Sequence, residues 1–343
     1  MPHTIAQRLV RQAEACAAMG SALYGAMLHS AALDYERGGP VRDVLASAGD
    51  RSRIGLRLMG ALHYLALEDR LPELAAHLPS TGGDGDAAAA WEAARAAVRD
   101  DPSRIAAMLD RTPQTNEVAR SMPLTAAFLH VAAETRMPLR IFEIGASAGL
   151  NLLWDRYGYR GSTWHWGDAS SALQLHNRER SGMPRHLDAA VTVNERRGCD
   201  LHPLDPRDAA HRRELLSFVW PDQLERFERL AAALRVAQSF TVPIDAAEGA
   251  AWIAAVAPVA GSATIAMHSV ITEHMTHAQR DALREAIGAL GERATGDAPV
   301  AWVRMESAES GYETRATIWP GGGEAHVATS DGHAQDIVWT RDA

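Results

Sequence analysis

The chain has 343 residues, 47% hydrophobic and 22% charged, enough for one large domain or two ordinary ones around a sizeable core. Its formal net charge of −9, with no Lys/Arg-dense run, argues against a nucleic-acid partner, because neutralising phosphates needs a basic surface. Two cysteines, Cys16 and Cys199, are too few for a disulfide framework. No apolar run approaches about 18 residues, so no membrane partner is expected and a cytoplasmic protein is the default reading.

From residue 5 to about residue 109 the pattern is helical and rich in alanine. Apolar residues recur at three and four over 5–17, which predicts an amphipathic helix. Ser21 is a plausible cap for a second helix over 22–32, and Arg37-Gly38-Gly39-Pro40 closes it. A third helix is predicted over 54–65, and a fourth is centred on Trp91 after a polar, glycine-rich loop at 81–86. No strand pattern precedes Leu139, so residues 1–112 read as an all-helical N-terminal domain. The stretch from Thr112 to Arg120 then gathers Gln114, Asn116, Glu117 and Arg120, a mixture of amide, carboxylate and guanidinium that suits a polar ligand. Alternatively, Thr115 or Asn116 caps the helix that follows.

At Leu139 the pattern changes. Strand-like segments at 139–144, 190–193, 240–244, 264–268 and 299–305 alternate with helical ones, as in a parallel sheet with crossover helices. Segments at 312–319, 324–329 and 337–340 read as antiparallel strands appended to its edge. The expected fold is therefore α/β over 113–343: a Rossmann-like, mostly parallel sheet with an antiparallel C-terminal hairpin. Insertions fall at about 152–189 and 206–239. Trp154 in the first could wall a pocket, and Val219-Trp220-Pro221-Asp222-Gln223 in the second resembles a loop over one. Pro221-Asp222 also makes an ordinary helix start.

The segment Ile141-Phe142-Glu143-Ile144-Gly145-Ala146-Ser147-Ala148-Gly149-Leu150-Asn151 reads as a buried strand that ends in a tight turn and a helix. Such a turn brings backbone N–H groups and a helix N-terminus near a ligand. The same residues contain Gly-x-Ser-x-Gly, which would make Ser147 the nucleophile of a hydrolase elbow. That reading needs earlier strands and an oxyanion loop, which the first 140 residues do not supply.

In a doubly wound sheet, ligands bind beyond the carboxyl ends of the strands. Asp200, after the second strand, can accept both hydroxyls of a ribose; Asp168 is its rival. Asp245-Ala246, after the third, could take an adenine amino group, or Asp245 could cap a helix over 246–255. His268, after the fourth, could act as a general base. His268, Glu273, His274 and His277 fit no common metal-ligand spacing, and no metal is expected.

The pattern Glu143-x-Gly145-x-x-x-Gly149-x-Asn151 resembles motif one of the class I S-adenosylmethionine-dependent methyltransferases, and Gly198-x-Asp200-Leu-x-Pro203 resembles their motif two. In addition, Arg11 to Ala15, Gln114 to Arg120, Glu143 to Asn151, Trp166-Gly-Asp168, Arg197 to Asp200, Val219 to Gln223 and Trp319-Pro-Gly together resemble the bacterial family termed domain of unknown function 2332. That resemblance spans nearly the whole chain and implies a methyltransferase-like core with a helical extension, but no activity. The expected function is methyl transfer from S-adenosylmethionine to a small-molecule acceptor. Glu143, Gly145, Ala146, Ser147, Gly149, Asn151, Asp200, Asp245 and Ala246 would hold the cofactor. His268 would sit at the transferred methyl, and Gln114, Asn116, Glu117, Arg120, Trp154 and Trp220 would meet the acceptor. A non-catalytic nucleoside- or metabolite-binding protein is the alternative, and an esterase using Ser147 a third.

Overall fold

The computed structural model describes residues 4–47, 52–177 and 182–340. The chain forms two compact units, Met1–Thr115 with Arg207–Ala231, and Asn116–Pro206 with Ala232–Ala343. Most of the segment read as a second insertion thus belongs to the helical unit. The helices in chain order are α1 (Ile5–Ala18), α2 (Ala22–Glu36), α3 (Pro40–Ser47), α4 (Ile54–Leu67), α5 (Pro72–Ala75), α6 (Ala87–Asp100) and α7 (Pro102–Met108), then α8 (Ser121–Thr135), α9 (Ala209–Ser217), α10 (Leu224–Ala237), α11 (Gly249–Ala254) and α12 (His277–Glu292). The strands are β1 (Leu139–Ile144), β2 (Gly158–Arg160), β3 (His165–Gly167), β4 (Gln174–His176), β5 (Val193–Asp200), β6 (Ile244–Ala246), β7 (Ala263–Ser269), β8 (Val300–Ala308), β9 (Gly311–Trp319), β10 (Gly323–Ser330) and β11 (Val338–Trp339). No helix among the described residues is long and apolar enough to cross a membrane.

In the helical unit, α1 starts at a capping box in which Thr4 and Gln7 exchange backbone and side-chain bonds. α2 is capped from a distance as well as locally. The Asp222 carboxylate accepts the Ser21 hydroxyl at 2.6 Å and the Leu23 N–H at 3.0 Å, so the Pro221-Asp222 turn anchors the start of α2. Pro40 stops the second helix and begins α3, which the sequence reading passed over; proline suits a first helical turn because its missing N–H has no partner there anyway. The buried Arg57 guanidinium takes the carbonyls of Ser52, Leu109, Asp110 and Arg111, tying α4 to the chain beyond α7. His63 is fully buried between the Ser217 carbonyl and the Ser80 hydroxyl, and burial pushes its pKa down to about 4.

The second unit is built on an eight-stranded sheet of order β11-β10-β9-β8-β7-β1-β5-β6. The strands β6, β5, β1, β7 and β8 are parallel, and β9, β10 and β11 follow as antiparallel neighbours. Counted along the chain, the parallel strands lie 3-2-1-4-5, so the winding reverses between β1 and β7. Phe142 and Ile144 on one face of β1 pack with Ala250, Ile253, Leu283 and Ile287 of α11 and α12. Successive strand residues face opposite ways, which turns Glu143 to the other side. α8, buried along most of its length, packs on β7 to β10.

Three sequence expectations shift. The second strand, expected at 190–193, is β5, and the third, expected at 240–244, is β6. The helix expected over 246–255 is α11, whose cap is Glu248 accepting the Ala251 N–H at 2.9 Å. Asp245 is thus not a helix cap. The first insertion holds a separate small sheet of order β3-β2-β4.

Candidate functional site

The winding reversal leaves the chain leaving β1 and the chain leaving β7 on neighbouring strand ends, and both turn through left-handed backbone. Gly145, Ser147 and Gly149 have φ of 73°, 53° and 69°, and Val270 has φ of 54°. For a β-branched residue such as Val270 that conformation is a genuine outlier, and such outliers cluster at functional sites. The two turns touch: a Cβ on Gly145 would stand 2.6 Å from Ile271 Cγ2, so only glycine lets Ile271 approach.

Most backbone donors of the loop after β1 are engaged, chiefly by the end of β5 and by Asn116. Gly145 and Ala146 N–H both donate to the Cys199 carbonyl at 2.9 Å, and Gly149 N–H to that of Ala146 at 2.7 Å. Ser147 N–H donates to Asp200 Oδ2 at 2.9 Å, and Leu150 N–H to Asn116 Oδ1 at 3.2 Å. The N–H groups of Gly145, Ala146, Ser147, Gly149 and Leu150 are thus not open to a ligand. The helix that follows is a 3-10 segment, Leu150–Arg156, kinked at Leu153.

The fold brings together much of what the sequence singled out. Asp200 ends β5 next to the loop, with Oδ1 accepting the His202 N–H at 2.9 Å. Glu143 is only 2% exposed, and its Oε2 has no hydrogen-bond partner. Burial raises its pKa well above the usual carboxylate range; a bond from Asn151 opposes this, the Asp200 charge adds to it, and Arg120 lowers it. Asn151 in turn accepts the Ser121 hydroxyl at 2.7 Å. Arg120 donates to the Gly332 carbonyl at 3.0 Å, and Glu117 accepts the Ala119 N–H at 3.3 Å. Asn116 and Ser121 thus reach the chain after β1 at Leu150 and Asn151, while Arg120 bonds the Gly332 and Ser269 carbonyls.

On β6, Asp245 is committed. Its carboxylate takes Arg197 Nε and Nη2 at 2.9 and 3.1 Å, and the Trp252 indole N–H at 2.6 Å. Ala246 pairs in register with Asp200. Asp168 follows β3 of the small sheet, exposed, and holds the Ser170 N–H and hydroxyl at 2.8 and 2.6 Å. Trp154 is fully buried, stacked 5.2 Å from Trp166 and 4.9 Å from Phe128. Gln114 and Trp220 belong to the helical unit, where Trp220 is in the core 6.4 Å from Tyr24.

His268, next to last in the buried strand β7, is 1% exposed. The Trp302 indole donates to its Nε2 at 3.0 Å, so the ring proton sits on Nδ1 and is shared with Glu306 Oε1 at 2.7 Å. Both nitrogens are occupied. Glu306 also takes the N–H groups of Ile271 and Thr272 and the Thr272 hydroxyl, fixing the turn after β7. The sequence reading passed over Trp302 and Glu306. Glu306 directly follows the predicted fifth strand, so the strand-end rule that selected Asp200 would have selected it too.

Sheet and loops define an α/β protein with a mostly parallel sheet, whose carboxyl strand ends carry acids and tight turns, together with a helical unit. The chain belongs to the family of uncharacterized proteins conserved in bacteria, domain of unknown function 2332, whose profile matches residues 6–339. No curated protein and no solved structure matches it.

Proposed function

We propose that the chain is an S-adenosylmethionine-dependent methyltransferase for a small-molecule acceptor. The observation that carries this reading is the charge and hydrogen-bond character of the strand ends. The N–H groups of Gly145, Ala146, Ser147 and Gly149 are already engaged, which leaves the loop a poor cradle for a pyrophosphate. Glu143, Asp200 and Asp245 stand at or near the ends of three adjacent strands. Asp245 is neutralised by Arg197 and burial favours the neutral form of Glu143, so the Asp200 carboxylate carries the preference for a cationic, hydroxyl-bearing ligand over a phosphate.

Asp200 would hold the ribose, since each oxygen keeps a lone pair beyond its backbone bond. Gly145, Ala146, Ser147 and Gly149 would lie against the amino-acid moiety, with Glu143 and Asn151 beneath it. Asp245 has one lone pair left on Oδ1 for an adenine amino group, with Ala246 leaving room for the ring. When bound, the cofactor would supply an electrophilic methyl group. The chain would act by alignment, with His268 and Glu306 shaping the turn at the acceptor and Asn116, Glu117 and Arg120 offering polar contacts. With both its nitrogens engaged, His268 is better suited to positioning than to proton abstraction.

That same engagement favours a second reading, a nucleoside-binding protein that transfers nothing. Calorimetry with S-adenosylmethionine tests the first. The native protein should bind, Asp200→Ala should weaken binding by about tenfold or more, as expected for losing charge-assisted bonds, and Asp168→Ala should not. Failure of the native protein to bind would overturn the cofactor assignment. Binding without methyl transfer to any acceptor in a broad metabolite panel would move the reading to the second.

A further inference from the structure

The C-terminal half of α8 carries His130 and Glu134, one turn apart on a single helix face. His186, in the segment before β5, brings its ring to 5.6 Å from that of His130. One ligating atom from each of His130, Glu134 and His186 lies within 4.8 Å of the others, the one such group among the described residues. His186 is held in left-handed backbone at φ 58°, and its Nε2 is buried with no hydrogen-bond partner. A buried ring nitrogen left unpaired calls for an explanation, and its neighbours here are a second imidazole and a carboxylate.

We propose that His130, Glu134 and His186 bind a divalent transition-metal ion of the zinc class. Two imidazoles and one carboxylate suit zinc, cobalt or nickel, whereas calcium and magnesium take oxygen donors. Tetrahedral coordination at ordinary bond lengths needs donor atoms about 3.3 Å apart. Rotation of Glu134, which is exposed, and modest turns of the two half-buried rings close that gap. Three protein ligands leave a fourth position for water or a substrate atom. Beside it is a small recess lined by Ala126, Pro184, Val327 and Trp339, with the exposed Arg185 at its rim favouring an anionic occupant. The ion would pin the segment containing His186 to α8. The site is separate from the strand ends beyond β1 and β5 and stands whatever binds there.

Cobalt titration tests the site. Tag-free, chelator-treated protein should take up one equivalent of Co²⁺ with visible d–d absorption, and Zn²⁺ should displace it. His186→Ala should weaken Co²⁺ binding by more than about 100-fold, beyond the loss typical of an outer-shell change, while the circular dichroism spectrum and the metal-free melting temperature stay unchanged. Should that variant misfold, Glu134→Gln, at an exposed position, should also abolish the band. Absence of d–d absorption in the native protein, or a band that survives both substitutions, would overturn the proposal.

Discussion

Asp200 Oδ2 accepts the backbone N–H of Ser147 at 2.9 Å, joining the end of β5 to the turn that leaves β1. Ser147 is a non-glycine residue at φ 53°, a conformation that costs roughly 1–2 kcal/mol and persists where the surroundings impose it. The carboxylate also holds His202, so one side chain organises two turns. Asp200→Ala should lower the free energy of unfolding by about 1–2 kcal/mol, chiefly through loss of the charge-assisted bond to the part-buried Ser147 N–H, while Asp200→Asn, which keeps one acceptor, should lose less. Urea denaturation measures both; an unchanged midpoint in the alanine variant would show that the turn does not depend on this bond.

Gly149 allows a cleaner separation of effects. Its φ is 69°, and a Cβ there would stand 2.9 Å from Ile244 Cδ1 and 3.4 Å from Val242 Cγ1. Gly261, at φ 77°, has nothing within 4 Å. Gly261→Ala should therefore cost only the left-handed penalty, about 1 kcal/mol, and Gly149→Ala that amount plus about 1 kcal/mol or more from crowding. Equal losses in denaturant melts would mean that Ile244 yields freely.

Sequence alone disclosed the elements whose side chains are uniformly buried. β1 and β7 are largely apolar and were legible to within a residue, and the strand-end rule picked out Glu143 on the first and His268 on the second. β5 was misjudged because Val193-Asn-Glu-Arg-Arg-Gly-Cys-Asp200 does not look like a strand. Its charges are met by partners far along the chain: Glu195 by Arg140, Arg196 by Asp155 at 2.6 Å, and Arg197 by Asp245. Tertiary ion pairing that overrides local polarity has no signature in a local window. The partners of His268 were hidden for a related reason. Trp302 and Glu306 flank Arg304, which stands opposite His268 in the β7–β8 register, and register between strands joined by a helix cannot be read from either strand. The polar run before α8 did advertise itself, but the contact of Asn116 with Leu150 depends on how the chain returns after β1.

In the helical unit, Asp222 and Ser21 form a cap spanning 201 residues of sequence. Asp222 secures both the Ser21 hydroxyl and the Leu23 N–H, while Ser21 itself accepts the Tyr24 N–H at 3.2 Å. Asp222→Ala should destabilise the protein by about 1–2 kcal/mol, as loss of a cap does. A double-mutant cycle with Ser21→Ala should give a coupling of at least about 0.5 kcal/mol. Strict additivity would show that the two residues act independently.

Glu143 and Glu306 should impose opposite pH dependences on stability. Burial raises the Glu143 pKa in the fold, so above the unfolded value of about 4.3 the unfolded chain releases a proton that the native protein retains. Stability is then lost as pH rises toward the folded pKa. Burial also pushes Glu306 upward, but the bond and charge of His268, with donors from Thr272 and the Ile271 N–H, outweigh it and leave the carboxyl below its ordinary value. Its contribution is present above the unfolded pKa and is lost as pH falls through the folded one. Glu143→Gln should therefore melt closer to the wild type at pH 4 than at pH 7, and gain on it as pH rises. Glu306→Gln should be the less stable variant at pH 7, and its deficit should shrink on acidification below about pH 4, where the wild type loses the ionised partner of His268. Melting temperatures across pH 3 to 8, compared between the two variants, should diverge in these senses; parallel profiles would mean that neither carboxyl titrates as its surroundings dictate.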